Sequence, residues 1–107
     1  MPGERPSRDL LQKVDAEYLE KAAADELPRI APGRFNPERE PWLPLLRTKR
    51  EGWEMTALFS NTARAHREGK TGDWVVIYWK KGDVSGQNTV VTAESGPRKG
   101  ERIVAGR

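Results

Sequence analysis

The apolar positions of this chain change their period part-way along. From the N-terminus, Leu10, Leu11, Val14, Tyr18, Leu19 and Ala22 recur every three or four residues, which places them on one side of a helix, and Ser7 stands ahead of them as an N-cap. The spacing predicts a helix from Arg8 to about Asp25, inside an N-terminal segment 8–26. Its other face, with Lys13, Asp15, Glu17, Glu20 and Lys21, is directed to solvent. Pro28 is expected to stop it, because the residue before a proline is pushed out of the helical region.

Five prolines, at 28, 32, 37, 41 and 44, then break the chain between 27 and 44 into an extended connector. Ile30, Phe35 and Trp42 within it are expected to tuck into the edge of the core, since a free linker rarely carries so many large apolar side chains.

Beyond the connector the period falls to two. Leu43 to Lys49 reads as a first strand, with Pro44 confining it to an edge or to its own first residues, and Arg50, Glu51 and Gly52 as a hairpin turn. Trp53, Met55, Ala57 and Phe59 alternate with Glu54, Thr56 and Ser60 in a half-buried second strand, and Leu58 is expected to lie under a helix. Ser60, Asn61 and Thr62 are capping candidates for a short helix over 62–68, closed by Gly69 and Gly72. Asp73 to Trp79 is apolar on both faces, which predicts a central strand covered on both. Gly82, Asp83 and Gly86 suit a hairpin loop, Gln87 to Glu94 a fourth strand, and Ile103 to Ala105 a fifth.

The pattern therefore predicts an α+β domain: an N-terminal helix, a proline-rich connector and a mixed, mainly antiparallel five-stranded sheet over 43–107 with one short inserted helix. About twelve residues separate the strands that flank that helix, near the lower limit for a parallel crossover, so strand order stays open.

Length and composition narrow the chemistry. A chain of 107 residues holds one core, so 8–107 is expected to form a single domain behind a disordered leader at 1–7. The absence of cysteine excludes disulfides and thiolate chemistry, and with a single histidine it leaves no Cys- or His-rich metal site. No apolar run is long enough for a membrane span, and a soluble, cytoplasmic protein without a cofactor is expected. The net charge of +3 is unevenly spread: residues 1–28 hold seven acids and four bases, leaving nine acids and fifteen bases in 29–107. An acidic helix followed by a basic body suggests an anionic partner, and ordinary surface solvation accounts for the same charges.

Candidate site residues gather near the short helix. Asn61, Arg64, His66 and Arg67 lie at or just inside its start, Asp73 at the mouth of the central strand, and Arg34 and Asn36 on the connector can reach the same end of the sheet. Together they would form a phosphate-sized pocket, whereas ordinary capping and exposed helix positions explain the same residues. His66 is the natural acid–base candidate, although no Ser or Cys nucleophile accompanies it. Glu54, Asp73 and Glu94 could in principle hold magnesium but match no metal-site spacing. Lys49, Arg50, Lys80 and Lys81 are expected in hairpin loops beside a phosphate backbone. Of the four tryptophans, Trp53 and Trp74 are expected to be buried, and Trp42 and Trp79 to be the exposed candidates for base stacking.

Three runs, RIAPGRFNPEREPWLPLL, TALFSNTARAHREGKTGDWVVIYW and GQNTVVTAESGPRKGERIVAGR, resemble the C-terminal region of prokaryotic helix-hairpin-helix DNA-binding proteins, whose N-terminal part is similar to the helix-hairpin-helix portion of family X DNA polymerases. The resemblance extends from about Pro6 onward. It implies attachment to a DNA-binding architecture without supplying an activity, and marks Arg34, Asn36, Asn61, Arg64 and His66 as the matching site positions. No glycine-flanked hairpin precedes Asp9, so the chain corresponds to an excised or stand-alone form of that region. The leading expectation is a nucleic-acid-binding accessory domain contacting phosphates through Arg34, Arg64 and the loop lysines. The alternatives are a nucleic-acid-processing or phosphoryl-transfer enzyme using Asn61 and His66, and a protein-interaction or self-association module with an open sheet edge near Pro44. The acidic helix could also fold back over the basic body and compete with the ligand.

Overall fold

The computed structural model describes residues 4–106. Helix α1 (Arg8–Ala23) starts at Ser7, whose side chain accepts the Leu10 N–H at 3.1 Å. It ends two residues before the expected place, and Pro28 is not what ends it. Asp25 adopts φ 58°, and the N–H groups of Asp25 and Glu26 turn back to the carbonyls of Ala22 and Lys21, closing the helix in a Schellman motif. In the described part of the expected leader Pro6 is fully buried and Glu4 pairs with Lys81 at 3.5 Å. Residues 1–3 of that expected leader lie outside the described residues.

The sheet has six strands: β1 (Arg29–Ile30), β2 (Leu43–Arg50), β3 (Trp53–Phe59), β4 (Val75–Lys81), β5 (Val84–Thr92) and β6 (Arg102–Val104). They lie in sequence order and every neighbouring pair is antiparallel. The connection from β3 to β4, which holds the short helix α2 (Ala63–Arg67), is thus a return and not a parallel crossover. The extra strand is β1, two connector residues paired with Leu43 and Pro44, so the edge expected near Pro44 is covered. The tight hairpins follow their turn residues. Glu51 and Gly52 both have positive φ between β2 and β3, and Gly82 has φ 60° between β4 and β5.

The main hydrophobic cluster lies on one face, with Leu43 and Ala65 buried outside it. Leu10, Leu11, Val14 and Tyr18 of α1 pack on Leu46, Trp53, Met55, Ala57, Val75, Ile77, Val90 and Val104. With side chains alternating along each strand, the opposite face carries Leu45, Arg47 and Lys49 of β2, Glu54, Thr56 and Leu58 of β3, Val76, Tyr78 and Lys80 of β4, and Ser85, Gln87 and Thr89 of β5. Among the described residues no helix lies over the middle of this face, so β4 is central without being covered there on both sides, and Leu58 faces away from α1. Nor does the acidic helix shield the second face, since it occupies the first.

Two buried polar groups fix α1 on the sheet. The Tyr18 hydroxyl donates to Pro44 O at 2.8 Å and accepts the Phe59 N–H at 3.0 Å, joining α1 to β2 and β3. Burial pushes that phenol well above its ordinary value, against the opposing Phe59 N–H. Asp15, expected in solvent, is 1% exposed and is held by Arg102 of β6. The connector contributes less to the core than expected: Trp42 is half-buried, but Ile30 and Phe35 are exposed.

Candidate functional site

The residues singled out around α2 do come together, but mostly to hold the backbone. Thr62 caps α2, accepting the Ala65 N–H at 3.1 Å. The Asn61 amide donates from Nδ2 to Arg34 O at 3.0 Å, which turns Oδ1 toward His66 Nε2 at 2.6 Å and assigns the proton to that nitrogen. The His66 ring lies 4.8 Å from the Phe35 ring and 6.4 Å from Trp42, centre to centre. Asn61 and His66 thus fasten the connector to α2. Asn36 bridges the connector to itself: Nδ2 donates to Pro32 O and Glu40 O, and Oδ1 accepts the Glu40 N–H. The Arg34 guanidinium lies 5.8 Å from the Phe35 ring centre. Arg64 pairs with Glu68 at 2.8 Å and leans over Trp74 at 5.3 Å, away from the phosphate position expected of it. A helix of five residues with its cap satisfied offers little as an anion site.

The remaining candidates separate. Lys80 and Lys81 are strand residues, not loop residues, and point to opposite faces. Lys81 lies 5.1 Å from the Trp53 ring centre on the α1 side, and Arg50 pairs with Glu17 on that side. Asp73 accepts both the hydroxyl (2.7 Å) and the N–H (3.1 Å) of Thr92 and meets Arg102 at 3.1 Å. Burial raises its pKa, and the Thr92 hydrogen bonds with the Arg102 charge outweigh that and hold it below its ordinary value. Glu94 is paired with Lys70 at 2.7 Å. Among the described residues no group of acids and histidines could hold a metal ion.

What sequence reasoning missed is the uncovered face of the sheet. The strand register sets its side chains in rows across β2, β3, β4 and β5. One row is Lys49, Glu54, Lys80 and Ser85, the next Arg47, Thr56, Tyr78 and Gln87, and the third Leu45, Leu58, Val76 and Thr89. Tyr78 stands near the middle, 47% exposed. Arg47, Lys49 and Lys80 surround it, exposed, and none of them joins an ion pair among the described residues. Glu54 stands between Lys49 and Lys80 in the first row without forming an ion pair with either, so with Arg47 these four charged side chains leave the basin with an excess of positive charge. A shallow basin of about 820 Å³ opens over these first two rows. A second concavity of about 590 Å³ lies on the same face toward β6, lined by Trp74, Arg64, Thr89, Val91 and Ile103 among others.

Trp74 is half-buried there and not in the core, and the stacking candidates Trp42 and Trp79 are half-buried as well. Trp79 is on the α1 side, edge-to-face with Trp53 at 5.3 Å and donating from Nε1 to Asn88 at 3.0 Å. The signal for the open face was present in the odd–even alternation of β4, where Tyr78 and Lys80 share a face that no helix among the described residues covers.

The class these features define is an antiparallel α+β meander backed by a single helix, with one sheet face open. No family model, no curated protein and no solved structure matches the chain. No helix among the described residues is long and apolar enough to cross a membrane.

Proposed function

We propose that this is a nucleic-acid-binding domain whose interface is the open face of the sheet. The observation that carries the reading is the Tyr78 ring exposed between the unpaired cations Arg47, Lys49 and Lys80. An aromatic ring offers a stacking surface to any base, and three free cations around it suit the phosphates on either side. Thr56 and Gln87, in the row of Tyr78, can donate to and accept from base edges. The helix-hairpin-helix association suggested by the sequence fits this role as an accessory surface beside other DNA-binding elements. Of the residues first expected to bind, only Lys80 belongs to this interface directly, and Arg64 borders it.

The test is fluorescence anisotropy of labelled oligonucleotides across a range of salt. If the three cations each neutralise one phosphate of a single strand, log K falls with log salt at a slope of about −2. Tyr78→Ala is expected to weaken binding by about 1–3 kcal/mol at any salt, and Arg47→Ala or Lys80→Ala to lower the slope. Binding that ignores both salt and Tyr78 would sink the reading.

A further inference from the structure

The same face also restricts the form of the ligand, a step that rests on the reading above. We infer that the ligand is single-stranded and lies across the sheet from the Tyr78 basin to the Trp74 concavity, with one base on the Tyr78 ring and a second on the Arg64 guanidinium where it covers Trp74.

Trp74 directly precedes β4 and lines its concavity with Thr89 and Val91 on the face of Tyr78, four residues and about 13 Å away at strand spacing. That distance needs a ligand longer than a single nucleotide. Between them the floor is Leu58, Val76 and Thr89, all half-buried and none projecting. The Arg64 guanidinium lies 5.3 Å from the Trp74 ring centre, and its Nε–H donates to Glu68 in the plane of the group, which leaves the exposed guanidinium face available to a base. Guanidinium planes stack bases as aromatic rings do.

The two ends differ in charge. At the basin Arg47, Lys49 and Lys80 outnumber the acid Glu54, whereas the far concavity is rimmed by Glu68 and Glu94, each already paired, with Arg64 and Lys70. Phosphates therefore gather at the basin, and the far end takes a base by stacking and apolar contact with Val91 and Ile103. A duplex cannot use this surface: its base faces are already stacked, and no long helix or projecting strand on this side enters a groove. The α1 helix is on the other face, and α2 is five residues long.

The experiment compares labelled oligothymidylates of about three and about ten nucleotides, bracketing the lower part of the ~4–16-nucleotide range covered by small open β-surfaces, with a duplex of the longer length. Variants Tyr78→Ala, Arg64→Lys and Arg64→Ala are each checked for an unchanged melting temperature. The long single strand should bind at least tenfold more tightly than the short one and than the duplex. Tyr78→Ala should weaken both single strands. Arg64→Lys, which keeps the charge and loses the plane, should weaken the long one about 5- to 100-fold without changing its salt slope, and leave the short one alone. Duplex binding as tight as single-strand binding overturns the inference and leaves nucleic-acid binding standing, and so does an Arg64→Lys variant that binds the long strand like wild type. No salt-sensitive binding of any oligonucleotide overturns both.

Discussion

Arg102 lies fork-on on Asp15, with Nη2 2.8 Å from Oδ1 and Nε 3.1 Å from Oδ2, across 87 residues of sequence. The carboxylate side chain is 2% exposed and the guanidinium 23%, so the pair is unequal. Arg102 has Asp73, Thr92 Oγ1 and Val90 O as further partners, whereas no other partner of Asp15 is seen among the described residues. Removing the arginine strands a buried charge, while removing the acid leaves a cation that still has company. Arg102→Ala should therefore cost about 3–5 kcal/mol in urea unfolding, and Asp15→Asn clearly less. Equal losses would show that the pair is not asymmetric in this way.

Asp73 gives the acid limit of the same network. Its folded pKa is held below the ordinary value of 3.8, so folding favours its charged form. Its contribution is complete above pH 3.8 and is lost as pH falls through the lower folded value. The stability gap between wild type and Asp73→Asn should thus be constant at neutral pH and narrow below that point, measured by urea unfolding at stepped pH.

The strands were legible because one face is buried and the other is not. Trp53, Met55 and Ala57 announce β3, which starts at Trp53 as expected and ends at Phe59, one residue before the end of the alternation at Ser60. The Asp15–Arg102 pair was not legible: on its helix Asp15 reads as one more acid on a polar face, and only β6, folded beside α1, makes it a buried group. β1 escaped because two residues between prolines carry no period. The open face was not legible for a related reason. Asn61, His66 and Arg64 have the chemistry of a site, but connector backbone and Trp74 occupy them. Tyr78 looks like core in an apolar run, and only the absence of a second layer exposes it.

Trp79 and Gly86 face each other across β4 and β5, and the indole fills the space a side chain would take. A Cβ built on Gly86 falls 2.5 Å from the ring atoms Cζ2 and Cη2, too close without movement. The ring is fixed by Trp53 and by its hydrogen bond to Asn88, so Gly86→Ala should cost about 1–3 kcal/mol and alter the near-ultraviolet circular dichroism of the tryptophan pair. Trp79→Phe shrinks the ring, and in that background the added methyl should cost markedly less. The double-mutant cycle measures this coupling.

Tyr18 serves two backbone groups at once, Pro44 O and the Phe59 N–H, both beneath α1. Tyr18→Phe keeps the ring, including its edge-to-face contact with Phe59 at 4.9 Å, and removes only the hydroxyl. The hydroxyl is buried and both its hydrogen bonds go to backbone, so about 1–3 kcal/mol should be lost in urea unfolding, with little change in the dependence on denaturant.

The strongest consequence concerns α1 as a whole. An acidic helix that merely masked a basic surface could be removed to tighten binding. Here α1 supplies Leu10, Leu11, Val14 and Tyr18 to the core and covers the face opposite to Tyr78. Without it Trp53, Met55, Ile77 and Val90 would be exposed on an unbacked sheet, and a single antiparallel layer this small does not hold in water. Deleting residues 1–26 should therefore abolish cooperative thermal unfolding and produce aggregation. Charge reversal on the outside of the intact helix, Glu20→Lys, should leave both melting temperature and oligonucleotide affinity close to wild type, because that exposed side chain lies on the far side of the molecule from the open face. A truncated chain that melts cooperatively and binds more tightly would instead make α1 a mask.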